Sequence, residues 1–120
     1  MTHIINSLDE ISHHYDALFV DLWGCVHNGI VAYTAAVEAL IEYRKNGGKV
    51  VLVTNSPKPR IGVEKQLLHF NVPKICYDTV ATSGDSARVA MFTGVVGKKI
   101  FFIGEPVSYT HLTLPTNREV

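Results

Sequence analysis

Asp21 is the residue of this chain best placed to do chemistry, because it ends the short apolar run of residues 17–20. Such a bounded run of strand-forming residues predicts a buried strand of a parallel sheet. Ligands of open α/β sheets bind beyond the carboxyl ends of the strands, so Asp21 is expected at a ligand-binding edge. Trp23 follows two residues later, and its indole cannot serve as an acid or a base. The spacing therefore predicts a nucleophile with no obvious acid beside it.

Thr54 and Asn55 follow a second apolar strand signal, at residues 49–53, and are expected at the same edge of the sheet. A carboxylate there can attack phosphorus while hydroxyl, amide and backbone N–H groups hold the other phosphoryl oxygens. Because Asp21 and a phosphate dianion repel each other, a Mg²⁺ between them is expected. On this pattern alone a second interpretation stays open, in which Asp21 ends a strand and Thr54 caps a turn.

Strand and helix signals alternate along the chain, which predicts βαβ units in a Rossmann-like three-layer α/β sandwich with a parallel sheet. Thr34 is expected to cap the first helix. Asn28 and Gly29, a pair typical of turns, indicate a loop at 24–33. The second helix is expected to turn Val63, Leu67 and Phe70 inward. The predicted strands are 17–21, 49–53, 79–82 and 99–103, and the predicted helices are 35–45, 59–70 and 85–92.

The composition describes one small globular domain: 120 residues, 47% of them apolar and 18% charged. Eleven basic residues balance eleven acidic ones, which gives no support to nucleic-acid binding. No apolar stretch approaches the length of a membrane span, and the start of the chain lacks a signal-peptide core, so we expect a cytoplasmic protein without a membrane partner. Cys25 and Cys76 are expected to be reduced thiols.

The end of the chain is expected to be foreign to the protein. The amino acids at 107–120 match the translation of a transposase-type sequencing adapter with a variable index. We therefore interpret 107–120 as a non-native tail and 1–106 as the native part of the chain.

Two motifs resemble those of the haloacid-dehalogenase-like (HAD) hydrolase superfamily. Residues 21–29, Asp-Leu-Trp-Gly-Cys-Val-His-Asn-Gly, resemble its first motif, and residues 51–57, Val-Leu-Val-Thr-Asn-Ser-Pro, resemble its second. The branch most similar contains phosphatases of phosphoglycolate, pyridoxal phosphate and sugar phosphates. Within that branch, the first motif resembles that of a bacterial subgroup that has tryptophan at the position of Trp23. The resemblance covers about residues 15–105 and implies a HAD-like core that stops before or within the cap domain.

The resemblance also implies roles for individual residues. Asp21 would be the nucleophile and a Mg²⁺ ligand, and Trp23 would offer its backbone carbonyl to the metal. Thr54 and Asn55 would bind the phosphoryl group, with Gly24 and its loop closing over it. The implied activity is a Mg²⁺-dependent phosphatase of small phosphorylated metabolites that acts through an aspartyl-phosphate. The lysine and acidic residues of later motifs would lie downstream, so the 120-residue chain is expected to be inactive.

Trp23 departs from the usual family pattern, in which an aspartate at this place protonates the leaving group. Three alternatives follow: a relocated acid, a leaving group that needs no proton, or a non-catalytic binding or regulatory relative. His27 either replaces the acid or orders the loop. A phosphoacceptor module of the receiver type is disfavoured, because it would need further acidic residues near Asp21.

Overall fold

The computed structural model describes residues 1–104, so the predicted tail at 107–120 lies outside the described residues. The helices and strands alternate as the sequence indicates, with one short helix added before the first strand. The strands are β1 (Ala17–Asp21), β2 (Lys49–Thr54) and β3 (Thr79–Thr82), and the helices are α1 (Asp9–Ser12), α2 (Thr34–Lys45), α3 (Arg60–His69) and α4 (Ser83–Phe92), with a 3₁₀ turn at Lys74–Cys76.

The three strands form one parallel sheet in the order β1-β2-β3. Asp21 lies opposite Val53 in the register of β1 with β2, and Thr54 lies opposite Thr82 in the register of β2 with β3. The carboxyl ends of the strands therefore meet at one edge, as the sequence predicted. This confirms a Rossmann-like α/β core.

One face of the sheet carries the core. Val50 and Leu52 are fully buried there, and Leu52 lies beside Val80 of β3. Helices α2 and α3 pack on this face through four side chains of one cluster, which places both βα units on the same side. These four are Leu40, Tyr43, Val63 and Leu67.

The opposite face of the sheet is open in residues 1–104, which corrects the expectation that β1 is a buried strand. Leu18 and Val20 are half-buried against the core, whereas Phe19 is 79% exposed and Val53 40% exposed. Successive side chains of a strand point to opposite faces, and the core cluster covers only one of them. Helices α2 and α3 therefore form one helical layer of the predicted sandwich, on the core face of the sheet.

The predicted fourth strand at 99–103 is wrong. These residues form no strand, and Phe101 and Ile103 remain more than four-fifths exposed. Side chains favourable to β structure do not hold a strand alone, because its backbone groups need a neighbouring strand. Within residues 1–104 the sheet offers this segment no such pairing.

The ends of the helices are set by the loops that precede them. Tyr33, not Thr34, is the N-cap of α2, because its N–H donates to Val26 O and holds it in an extended conformation. The Thr82 hydroxyl caps α4 by accepting from the Asp85 N–H at 2.9 Å. Gly47, at φ 91°, ends α2 as predicted.

Candidate active site

Asp21 is exposed at the carboxyl end of β1 and is held close to the backbone that follows it. One carboxylate oxygen, Oδ1, accepts the N–H of Leu22 at 2.8 Å. Leu22 itself is buried in the core, so the chain turns at Asp21 while the next residue is fixed. The second carboxylate oxygen has no hydrogen-bond partner among the described residues, which suits a nucleophile or a metal ligand.

Thr54 lies at the same edge, one residue beyond the register partner of Asp21. Its Oγ1 accepts the Ser56 N–H at 3.2 Å. A hydroxyl that accepts in this way still has its own proton to donate, and Thr54 is only half-buried. Asn55 follows with an exposed side chain. The structure therefore brings Asp21, Thr54 and Asn55 to one edge of the sheet, and their catalytic and phosphate-binding roles stay predictions.

The backbone N–H groups of the loop at 24–33, which follows Asp21, are all hydrogen-bonded. Each of its ten N–H groups donates within the chain: the Gly24 N–H reaches His27 O at 2.8 Å, and the Ala32 N–H reaches Phe70 O. Gly24 therefore has no N–H ready for a phosphoryl oxygen in this conformation. Phosphate binding by Gly24 stays a prediction, and it would require exchange of an existing hydrogen bond.

His27 is the side chain around which this loop is built. It is 6% exposed, and its Nδ1 accepts the Gly29 N–H at 3.0 Å. Its ring packs on Phe70 with 4.7 Å between the ring centres. Burial lowers the pKa of His27, and the nearby Asp21 carboxylate opposes this only in part. Of the two predicted roles, the geometry supports the ordering of the loop, because a neutral ring with Nδ1 engaged is a poor acid.

Trp23 is exposed and contacts two residues of its own loop. Its side chain is 68% exposed, and the His27 ring meets it edge-on at a centroid distance of 6.0 Å. Gly29 lies directly against the six-membered ring of the indole. A Cβ at Gly29 would overlap this ring, and the φ of Gly29 is +86°. The loop thus keeps one broad aromatic side chain at the rim of the site.

The site offers carboxylate and carbonyl oxygens, which are the kinds of ligand that Mg²⁺ binds. Asp21 offers a carboxylate, and no hydrogen bond in residues 1–104 donates to the Trp23 carbonyl oxygen. Mg²⁺ commonly keeps several waters and takes only one or two carboxylates from the protein. The described residues contain no group of three or more His, Cys, Asp or Glu side chains suited to a metal. The predicted ligands within residues 1–104 are Asp21 and the Trp23 carbonyl, and their metal-binding role stays a prediction.

Sequence reasoning missed the anchor of this loop. Phe70, at the end of α3, lies under the His27 ring and accepts the Ala32 N–H. The sequence indicated an inward-facing Phe70, but no local signal linked it to a loop so far away in the chain. The sequence did predict Asn28 as a turn residue, and its Oδ1 accepts the N–H groups of Ile30 and Val31, both at 2.9 Å.

Two comparisons with known proteins indicate the same family. A family model described as haloacid dehalogenase-like hydrolase matches residues 18–113. Among solved structures, this chain is similar to a hydrolase of the haloacid dehalogenase-like family from Brucella suis 1330, with 40% sequence identity and a TM-score of 0.80. The match covers 90% of this chain and 39% of that chain.

The other searches add two findings. No match was found among curated proteins. Within residues 1–104, no helix has the length and hydropathy needed to cross a membrane. Since the family model spans most of the sequence and the solved relative covers nearly all of it, the chain belongs to the haloacid dehalogenase-like hydrolase family.

Proposed function

We propose that the full-length protein containing this chain is a cytoplasmic, Mg²⁺-dependent phosphatase of small phosphorylated metabolites. The observation that carries this proposal is the placement of Asp21 and Thr54 at the carboxyl ends of adjacent parallel strands, one register step apart. Membership of a hydrolase family supports a hydrolytic reaction at this edge.

In the proposed reaction, a carboxylate oxygen of Asp21 attacks phosphorus, and the bond between phosphorus and the ester oxygen breaks. The leaving oxygen departs with the bonding electron pair and takes a proton from solvent. The Thr54 hydroxyl donates a hydrogen bond to a non-bridging oxygen and so stabilises the charge that develops there. Water then attacks the aspartyl-phosphate, releasing phosphate and regenerating the carboxylate.

A Mg²⁺ held by Asp21 and the Trp23 carbonyl would reduce the repulsion between the carboxylate and the phosphate dianion. Within residues 1–104 no lysine forms an ion pair with Asp21, and no group of three or more His, Cys, Asp or Glu side chains is suited to a metal. We therefore expect no turnover from the 120-residue chain itself, and the proposal concerns the full-length protein.

The test is release of inorganic phosphate by the full-length protein from a panel of phosphate monoesters, with Mg²⁺ and after its removal by EDTA. Asp21→Asn should reduce the rate to background, because the amide is a far weaker nucleophile. Asp16→Asn is the matched control: this aspartate precedes β1 at the opposite end of the strand and should leave the rate unchanged. Equal rates for wild type and Asp21→Asn would refute the assignment of the nucleophile.

The Trp23 indole, which is neither an acid nor a base, favours one alternative. A binding protein of the same fold would take up phosphate monoesters without hydrolysing them. Binding of a phosphate monoester to both wild type and Asp21→Asn, measured by calorimetry, with no phosphate released by either, would select this alternative.

A further inference from the structure

The loop at 55–59, which follows Thr54, packs directly against the first turn of helix α4. The buried Gly84 of that turn donates its N–H to Ser56 O at 3.1 Å. The approach is so close that a Cβ at Gly84 would overlap the carbonyl oxygen of Pro57. The two backbones are therefore in contact with no side chain between them, an arrangement that requires glycine.

Asp85 joins the same turn of α4 to the start of α3. Its Oδ2 accepts the Arg60 N–H at 2.9 Å, and it serves as a cap from another element, because Pro59, the N-cap residue of α3, makes no side-chain hydrogen bond there. The Asp85 N–H donates in turn to Oγ1 of Thr82, which is buried at the end of β3. The sheet thus fixes the place of Asp85, and Asp85 fixes the far end of the loop at 55–59.

The contact between α4 and the loop reaches Thr54 through one residue. The Ser56 N–H donates to Thr54 Oγ1 at 3.2 Å, while the Ser56 carbonyl accepts the Gly84 N–H. Because Oγ1 accepts this hydrogen bond, the hydroxyl proton of Thr54 points away from Ser56 and is free to be donated elsewhere. A shift of Ser56 would remove this constraint and let the hydroxyl rotate. The direction of the Thr54 hydroxyl therefore depends on where α4 holds the loop.

We propose that Asp85 is a positioning residue: by holding the loop at 55–59 against α4, it keeps the Thr54 hydroxyl directed toward a phosphoryl oxygen. This inference rests on the proposed function, which gives Thr54 that role. Among residues 1–104 the Asp85 carboxylate is hydrogen-bonded to Arg60 and not to Asp21, so its effect on the reaction is transmitted by the loop. A displacement of about 1 Å caused by a remote change can lower a rate about 100-fold.

The experiment measures two quantities in the full-length protein. These are kcat on the phosphate monoester that wild type hydrolyses fastest, and the Kd for inorganic phosphate, by calorimetry with Mg²⁺. Asp85→Ala should lower kcat about 10- to 100-fold and raise the Kd about 3- to 10-fold. The amide oxygen of Asp85→Asn can still accept the Arg60 N–H, so this variant should restore both quantities.

Ser86→Ala is the matched control for Asp85→Ala. Ser86 lies on the same turn of α4, and its hydroxyl donates to Thr82 O at 3.1 Å instead of reaching the loop at 55–59. Its removal should leave kcat and the Kd for phosphate as they are in wild type.

A double-mutant cycle tests whether Asp85 acts through Thr54. The Thr54→Val variant has no hydroxyl to orient, so adding Asp85→Ala to it should cause no further fall in kcat and no further rise in the Kd for phosphate. A merely structural effect of Asp85→Ala would change both quantities by the same factor with and without the Thr54 hydroxyl.

Three results would overturn the inference. The first is a kcat and a Kd in Asp85→Ala equal to those of wild type. The second is an equal loss in Asp85→Asn and Asp85→Ala, which would mean that the charge matters and the hydrogen bond to Arg60 does not. The third is an equal loss in the presence and absence of the Thr54 hydroxyl. Failure of the proposed function is distinct, because wild type would then hydrolyse no ester above the Asp21→Asn background, while the phosphate Kd values would still decide the role of Asp85.

Discussion

At the scale of single residues, the rim of the site depends on the fit between one glycine and one tryptophan. Gly29 has a φ of +86°, and the Trp23 ring occupies the place where a Cβ would lie. A side chain at this position would therefore lower the free energy of unfolding for two separate reasons. The first is the cost of a left-handed backbone, and the second is the displacement of the indole.

We predict that Gly29→Ala destabilises the chain more than Gly47→Ala does. Gly47 has a similar φ of +91° with nothing within 4 Å of an added Cβ, so both variants incur the backbone cost of about 1–2 kcal/mol. Only Gly29→Ala also displaces the ring, which should add about 1 kcal/mol or more. Urea unfolding measures the difference in the free energy of unfolding.

Tryptophan fluorescence gives the independent readout for this pair, because Trp23 is the one tryptophan of the sequence. Gly29→Ala should shift its emission, while Gly47→Ala should leave the emission as it is in wild type. Equal losses of stability with unchanged emission in both variants would show that the ring does not rest on Gly29.

The sequence was enough to predict which residues meet at the site, but not how the loop beside them is held. Asp21 and Thr54 each end an apolar run, and the parallel arrangement of such runs brings them together. The contact of His27 with Phe70 depends on where α3 ends relative to the loop, which no spacing within either segment encodes. The engagement of the Gly24 N–H likewise follows from the path of the loop.

At the scale of elements, prediction worked where local signals and tertiary contacts agree. Strand β2 and helix α3 were predicted within about a residue, since both have core-facing side chains and turn residues at their ends. The segment at 99–103 has the composition of a strand, but the described sheet gives it no partner. Composition could not reveal this, because pairing depends on what lies beside a segment in space.

One ionic cluster joins three elements at the end of the sheet opposite the site. Asp78, after the 3₁₀ turn, accepts the Val50 N–H of β2 at 2.7 Å and two N–H groups of Arg44 from α2, at 2.9 and 3.2 Å. The backbone hydrogen bond from Val50 and then the bond from Arg44 lower the pKa of Asp78 below its ordinary value of 3.8. The ionised carboxylate is therefore the form that stabilises the fold.

We predict that Asp78→Asn lowers the free energy of unfolding by about 1.5–3 kcal/mol at pH 7, as expected for hydrogen bonds to a charged group. Because the pKa is lower in the folded state than in the unfolded state, this stabilisation is complete above pH 3.8 and is lost as the pH falls through the lowered pKa. The gap between wild type and Asp78→Asn should thus close in strong acid. Urea unfolding of both proteins across this range measures it.

The control for Asp78 is the exposed pair of Glu42 and Lys45 on α2, whose side chains are 62% and 64% exposed. Glu42→Gln should change stability by less than about 0.5 kcal/mol at any pH, since solvent screens such pairs. A gap between wild type and Asp78→Asn that stays constant down to strong acid would contradict the role assigned to the ionised carboxylate.

At the scale of the whole molecule, the sheet has one covered face and one open face. Phe19 lies on the open face, beside Val51 in the register of β1 with β2, and β1 is an edge strand of the described sheet. An exposed apolar surface next to an unpaired strand edge favours association. The solved relative has a chain more than twice as long as the part matched here, and the prediction that follows concerns the 120-residue chain.

We predict that the 120-residue chain associates with itself through this face and that Phe19→Ser weakens the association. Burial of a phenylalanine side chain contributes about 1.5–3 kcal/mol, so the dissociation constant should rise about tenfold or more. Sedimentation velocity over a concentration series measures it. Ile61→Ser is the matched control, because Ile61 is 63% exposed but lies on α3, away from the open face. A chain that stays monomeric at every concentration, or one whose association responds to Ile61→Ser but not to Phe19→Ser, would show that the open face does not drive assembly.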